Sequence, residues 1–286
     1  MLAKKLYYNN LINKSNNKPK TTWNIVRTIT NNRKVNINRT TMNVKNKLTN
    51  NPLIIANAFN KYFVSVAEDL LIKNTPKNNT NNYIDPLTHL QHNIRQTSIL
   101  MNLKNTAMHG IGKIIHSKKS KDSSGYDGIS SRTIKISAPY ILSPLRFIFN
   151  KSLLTGNFSE RLKFSDVKPI HKNGDSTDFL YYRPISLLTS FSKIIEKIIY
   201  KMLYSYLSTN ILLVNEQFGF RAKLSTDTAM YDFLNKVLSS LDKKDYVGGL
   251  FCDLQKAFDC VNRDILLAKL KFYGITRIAY KLLDHI

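Results

Sequence analysis

A chain of 286 residues, 43% of them hydrophobic, can bury a substantial core in one large domain or two smaller ones. It carries 43 basic and 19 acidic side chains, a net charge of +24. No apolar run is long enough to cross a bilayer. The opening MLAKKLYYNNLINKSNNK lacks the apolar stretch of a signal peptide. The two cysteines, Cys252 and Cys260, offer neither a disulfide framework nor a zinc-site spacing, which fits a reducing compartment.

The charge is uneven. Residues 1–120 hold 19 basic and 3 acidic side chains, while residues 121–286 hold 24 and 16. Such asymmetry points to a polyanionic partner, with nucleic acid first among them. Drift toward Asn, Lys and Ile, whose codons are A/T-rich, is the competing explanation, since charge runs often only solvate a surface.

In chain order, residues 1–50 are polar. Trp23, Ile25, Val26 and Ile29 predict one short helix there. Over 52–72, Ile55, Ala58, Phe59, Tyr62, Phe63 and Val66 recur at helical spacing behind Pro52, which predicts an amphipathic helix. Residues 73–97 return to Asn, Thr and Pro and read as a loop or linker. The texture changes after Ser120. Gly125 and Gly128 flank Asp127 in a turn, and a helical pattern covers 139–155. Val167–Ile170 and Arg183–Leu188 follow, then a helix over about 190–207. A turn at NEQFGFRAK leads into another helix. The run Tyr246–Cys252 predicts a buried strand, and a helix over about 262–273 closes the pattern. Alternating strands and helices give the class α/β or α+β.

Asp253 stands at the end of that predicted strand. A carboxylate there is costly unless it is paired or bound to a cation. Magnesium is a natural partner, because it binds through one or two carboxylates plus substrate phosphates. The plain alternatives are an N-cap for a helix starting near Leu254, or an ion pair with Lys256.

The segment Phe251-Cys252-Asp253-Leu254-Gln255-Lys256-Ala257-Phe258-Asp259-Cys260-Val261 resembles the first palm motif of reverse transcriptases from non-LTR, LINE-type retrotransposons. Ile265–Leu270 and Tyr273-Gly274-Ile275 continue the likeness. Upstream, Ser124-Gly125-Tyr126-Asp127-Gly128-Ile129 is similar to the first block of that family. Leu162–Asp175 and Tyr182-Arg183-Pro184-Ile185-Ser186-Leu187-Leu188 are similar to its fingers motifs, and Gln217-Phe218-Gly219-Phe220-Arg221 with Ser225-Thr226 to its next block. The blocks occur in the family's order over about 122–286, nearest to the jockey-like and CR1-like branch. A looser likeness covers 52–71, which resembles the segment joining endonuclease and polymerase in such elements.

The resemblance implies a right-hand polymerase fold in part: fingers and the start of a palm over 122–286, behind a basic, loop-rich region over 1–121. It implies Asp253 as a catalytic, metal-binding carboxylate, with the Leu254 carbonyl facing the same Mg²⁺. It implies Phe258 as the gate against a ribose 2′-hydroxyl. Lys172 and Arg183 match the basic positions that hold an incoming dNTP, a role suited to ammonium and guanidinium groups. Gln217 and Arg221 would lie near the template or the nucleotide, and the partners implied are an RNA template, a DNA primer and dNTP. Each also has an ordinary structural role open to it. Lys172 could be an exposed turn lysine, Arg183 could pair with a surface acid, and Phe258 could be a core residue.

The family completes its metal site with a Tyr/Phe-x-Asp-Asp block, and no Asp-Asp pair occurs in these 286 residues. The expectation is a copy of a truncated element or a partial gene product, inactive as a polymerase by itself. Two other readings stay open: a nucleic-acid-binding remnant that uses the basic N-terminal region, and a decayed reading frame without function.

Overall fold

The computed structural model describes residues 2–15, 18–29, 41–74, 88, 99–254 and 256–286. Two compact units emerge: residues 1–58 with 173–181, and residues 59–172 with 182–286. Among the described residues, helices and two small antiparallel hairpins give a mixed α and β architecture.

In the first unit, α1 (Leu2–Asn13) and α2 (Lys18–Ile29) replace the single short helix predicted for this region. The α1 sequence LAKKLYYNNLIN shows almost no apolar periodicity, so pattern reading passes over it. A hairpin of β1 (Met42–Val44) and β2 (Lys47–Thr49) pairs Val44 with Lys47. Its two turn residues, Lys45 and Asn46, both have positive φ, 52° and 62°. This is the geometry that Asn-Gly usually signals, here built without a glycine. Helix α3 (Pro52–Asn74), which belongs to the second unit from Phe59 on, covers the predicted 52–72. The Asn51 side chain accepts from the Leu53 amide at 3.0 Å and so starts it. The predicted loop 73–97 lies almost wholly outside the described residues.

The core of the second unit is helical. Helix α4 (Met108–Ser117) contributes Ile111, Ile114 and Ile115. Helix α5 (Ser131–Thr155) contributes Ile134, Phe149 and Leu153. Helix α7 (Ser190–Thr209) contributes Ile194, Ile195, Ile198 and Ile199, and α10 (Arg277–Asp284) adds Leu282. The pairs at i, i+1 and i+4 on α7 form the wide apolar stripe of a helix that faces a core. Helix α5 starts eight residues before the predicted 139, because Ser130 caps it, accepting from the Thr133 amide at 3.1 Å. Pro139 and Pro144 sit inside it at exposed positions.

The second hairpin positions the fingers-like motifs. The short α6 (Glu160–Lys163) leads into β3 (Ser165–His171), which pairs with β4 (Tyr182–Leu188) in the register Ile170 to Arg183. The Gly125 turn packs on the end of β4. A Cβ at Gly125 would lie 2.9 Å from the Leu188 carbonyl carbon and the Thr189 nitrogen. Side chains fasten the same corner: the Tyr126 hydroxyl donates to the Arg161 carbonyl at 2.6 Å, and the Ser190 hydroxyl donates to the Ile129 carbonyl at 3.3 Å.

Two further helices, α8 (Thr226–Asp242) and α9 (Arg263–Phe272), fall where the pattern predicts them. The strand predicted over 246–252 does not form. That segment is irregular, and Leu250 and Phe251 are 92% and 83% exposed. A lone strand leaves its amides and carbonyls unpaired, and among the described residues no other strand joins it. Its apolar composition reads as burial, but only a paired neighbour would supply it.

Candidate nucleotide and metal site

Lys172 follows the last residue of β3, and Arg183 is the second residue of β4. Residues opposite one another in an antiparallel pair point to the same face. Arg183 therefore shares a face with Ile170 and Lys168, and Lys172 continues the alternation one step beyond the ladder. Both cations are exposed. No ion pair among the described residues engages either one, so the surface-acid role open to Arg183 is not taken up. The opposite face of the hairpin is anchored by Tyr182, whose ring stands edge-on to Phe59 of α3 with centroids 5.0 Å apart. One face is thus held against aromatic packing while the other presents two free cations at the hairpin's loop end. Such a face can hold a polyphosphate.

The loop ahead of α8 is built by strained backbone: Phe220 and Lys223 have φ near 60° and 67°. Within it Gln217 donates to the Gly219 carbonyl at 3.3 Å, and Arg221 donates to the Val214 carbonyl at 2.7 Å. The Ala222 amide donates to the Tyr204 hydroxyl on α7 at 3.0 Å. That amide, more than the nearby Arg221, draws the Tyr204 phenol below its usual pKa. Ser225 and Thr228 then form a reciprocal capping box that starts α8.

Asp253 and Leu254 are both exposed in the irregular segment. Asp253 is therefore not at a buried strand end, and its exposed carboxylate carries no burial cost. Neither plain alternative holds. No helix starts near Leu254; residues 256–260 form a turn, and α9 begins later with Asn262 as its cap, accepting from Ile265 at 3.1 Å. Lys256 turns to Tyr62, at 3.0 Å from its hydroxyl and 4.5 Å from the ring centroid, and forms no ion pair with Asp253. Phe258 is 80% exposed, so it is not a core residue, and it meets Phe220 edge-on at 5.9 Å. The Asp253 turn and the Gln217–Arg221 loop thus touch through one aromatic pair.

Among the described residues no group of three or more His, Cys, Asp or Glu side chains gathers to hold a metal. One solvated carboxylate does not fit a two-ion magnesium site, which needs further oxygen ligands in fixed geometry. The residues that sequence reasoning passed over are Tyr204 and Phe220. Tyr204 lies at helical spacing in a run of tyrosines, and Phe220 stands inside the recognised Gln217–Arg221 block. Both were legible as residues but not as partners.

Residues 170–284 match the family model of reverse transcriptase, RNA-dependent DNA polymerase. The chain is 36% identical over 152 residues to the RNA-directed DNA polymerase from mobile element jockey of Drosophila melanogaster, covering 53% of this chain and 17% of that protein. It is 33% identical over 174 residues to the probable RNA-directed DNA polymerase from transposon BS of the same fly, covering 58% and 19%. It is 30% identical over 162 residues to the probable RNA-directed DNA polymerase from transposon X-element, covering 56% and 18%. Residues 170–284 are thus similar to reverse transcriptase, and the relatives they align with are named as RNA-directed DNA polymerases of mobile elements. The chain spans less than a fifth of the length of these relatives.

Proposed function

We propose that this chain is the fingers and the first part of the palm of an RNA-directed DNA polymerase of a LINE-type element, over about 122–286, behind a basic region over 1–121. The observation that carries the reading is the family match over 170–284, which spans the Lys172–Arg183 hairpin, the Gln217–Arg221 loop and Asp253 together. Lys172 and Arg183 hold the triphosphate of the incoming dNTP. Gln217 and Arg221 lie near the RNA template or the nucleotide. Phe258, free of the core, blocks a ribose 2′-hydroxyl, and Asp253 with the Leu254 carbonyl contributes one corner of a Mg²⁺ site. This chain's own residues orient the nucleotide by charge and exclude the ribonucleotide by shape.

The 286 residues supply one such carboxylate and no Asp-Asp pair. The purified chain alone should therefore not extend a primer on an RNA template with magnesium or manganese. In a chimera that adds the downstream palm and thumb of a related polymerase, extension should appear and depend on Asp253. Asp253→Asn should abolish incorporation while leaving the melting temperature unchanged, because among the described residues the carboxylate caps no helix and pairs with no cation. Lys172→Ala and Arg183→Ala should instead raise the KM for nucleotide. An active chimera whose rate Asp253→Asn changes only a few-fold would remove Asp253 from the site.

A further inference from the structure

Helix α7 is buried along one side and basic along the other. Counting 100° per residue, Lys193, Lys197, Tyr200 and Tyr204 fall within one narrow stripe, and Lys201 lies at its margin. Lys193, Lys197, Tyr200 and Lys201 are exposed, opposite the buried isoleucines. The stripe runs about 17 Å from Lys193 to Tyr204 at 1.5 Å per residue. The two tyrosine rings stack, with centroids 5.7 Å apart and planes 22° from parallel. Lys197 lies over the Tyr200 ring at 4.2 Å. At its far end the stripe meets the Arg221 loop through the Tyr204 hydroxyl and the Ala222 amide.

A fourth lysine joins at the near end. Lys118, which follows α4, is partly buried; that burial and then the like charge of Lys193 and Lys197 hold its ammonium below the usual lysine range, against the pull of Glu196. Glu196 is turned to the Ser192 hydroxyl at 2.9 Å. No carboxylate among the described residues is within ion-pair distance of Lys118, Lys193, Lys197 or Lys201. Part of Lys118 is accounted for by the helix end, where a cation meets the negative pole of the dipole. Lys193 and Lys197, within the first half of α7, have no such explanation.

Like charges crowded without a counter-ion, interleaved with presented aromatic faces, match the needs of single-stranded nucleic acid: phosphates for the ammonium groups and bases for the rings. An anionic membrane would be served by the charge, but it would favour an apolar flank in place of stacked phenols. We propose that the exposed face of α7 is a track for a single-stranded polynucleotide that leads to the Arg221 loop. The track deepens the polymerase reading, which supplies the reason for a strand to run there.

The test is a binding measurement on the full chain with labelled oligo(U) and oligo(dT), so primer extension plays no part and failure of the track is distinct from failure of the polymerase reading. Lys193→Gln/Lys197→Gln/Lys201→Gln should weaken binding about tenfold at physiological salt and lower the slope of log affinity against log salt by about 2. Tyr200→Ala/Tyr204→Ala should weaken it about tenfold through lost stacking. Lys151→Gln/Lys243→Gln/Lys269→Gln removes the same charge from other exposed positions and should have a much smaller effect. The triple arginine variant at 193, 197 and 201 should bind like the unaltered chain, which separates lost charge from a damaged fold. Tighter oligo(U) binding would assign the track to RNA, and tighter oligo(dT) binding to DNA. Stripe variants that bind as the control triple does, photocrosslinks from thiouridine-labelled RNA that avoid 193–204 altogether, or a stripe-dependent preference for anionic vesicles would each overturn the proposal.

Discussion

Gly125 shows how much a single residue can fix. Its missing Cβ lets the turn at 124–129 lie directly on the junction of β4 and α7, where a methyl group would come within 2.9 Å of backbone atoms. Backbone cannot move aside as a flexible side chain can, so Gly125→Ala should cost about 1–3 kcal/mol, the usual range for overpacking. Chemical denaturation would measure it. Gly128 in the same turn has φ of 69° and open space around its Cβ position, so Gly128→Ala should cost less, about 1 kcal/mol of backbone strain. Equal losses at the two positions would show that conformation, not contact, governs the turn. The Gly-Tyr-Asp-Gly pattern was readable as a turn, because Asp127 accepts from the Ile129 amide in the ordinary way of such turns. What it packs against was not readable, since the contact spans some sixty residues of sequence. Asp253 teaches the converse. Its identity stood out, but its burial was inferred from apolar neighbours, and burial belongs to the assembled sheet rather than to the strand.

At the scale of elements, apolar spacing located some helices and missed others: α4 and α10, whose apolar residues are the most one-sided, were not predicted. The helices over 52–74, 190–209 and 263–272 lie within a few residues of where periodicity puts them. Helix α1, with no stripe, and the Lys45-Asn46 hairpin, with no turn glycine, carried no signal. Tertiary fastening was also invisible in the sequence. The Tyr206 hydroxyl lies 2.6 Å from the Tyr273 carbonyl and 2.8 Å from the Ile99 carbonyl, tying α7 to the end of α9 and to the segment ahead of α4. Burial raises the Tyr206 phenol above its usual pKa, and Tyr273 is raised for the same reason. The sign follows from linkage. Near pH 10 the unfolded chain releases these protons before the folded one does, so ionisation favours unfolding. The stabilising contribution is complete below pH 10 and is lost as pH rises through the folded-state values. Tyr206→Phe should lower stability by about 1–2 kcal/mol at neutral pH through the lost hydrogen bonds. It should also flatten the alkaline loss relative to the unaltered chain. Parallel stability curves for the two proteins between pH 9 and 11 would show that the hydroxyl is solvated and not a tie.

At the scale of the molecule, the helical core and the apolar surface sit in different parts of the second unit. Helices α4, α5, α7 and α10 close a dry centre. Helix α8 has no buried residue, and Met230, Tyr231, Leu238 and Leu241 are exposed along it. Phe251 of the irregular segment touches Phe233 of the same helix, and Leu250, Leu254 and Phe258 lie open nearby. Contiguous apolar surface of this kind, next to a segment of strand-like composition, drives association between copies. The net charge of +24 opposes that association at low salt by repulsion. Raising salt screens the charge and leaves the apolar attraction in place. Light scattering of the purified chain should therefore increase with salt, and a dye that binds apolar surface should fluoresce in the native state. Leu250→Lys/Phe251→Lys should suppress both signals while leaving the melting temperature within about 2 °C, because exposed side chains away from packing contribute little to stability. A chain that scatters less at high salt would mean that repulsion never limited association, and a large drop in melting temperature would mean that the segment is packed after all.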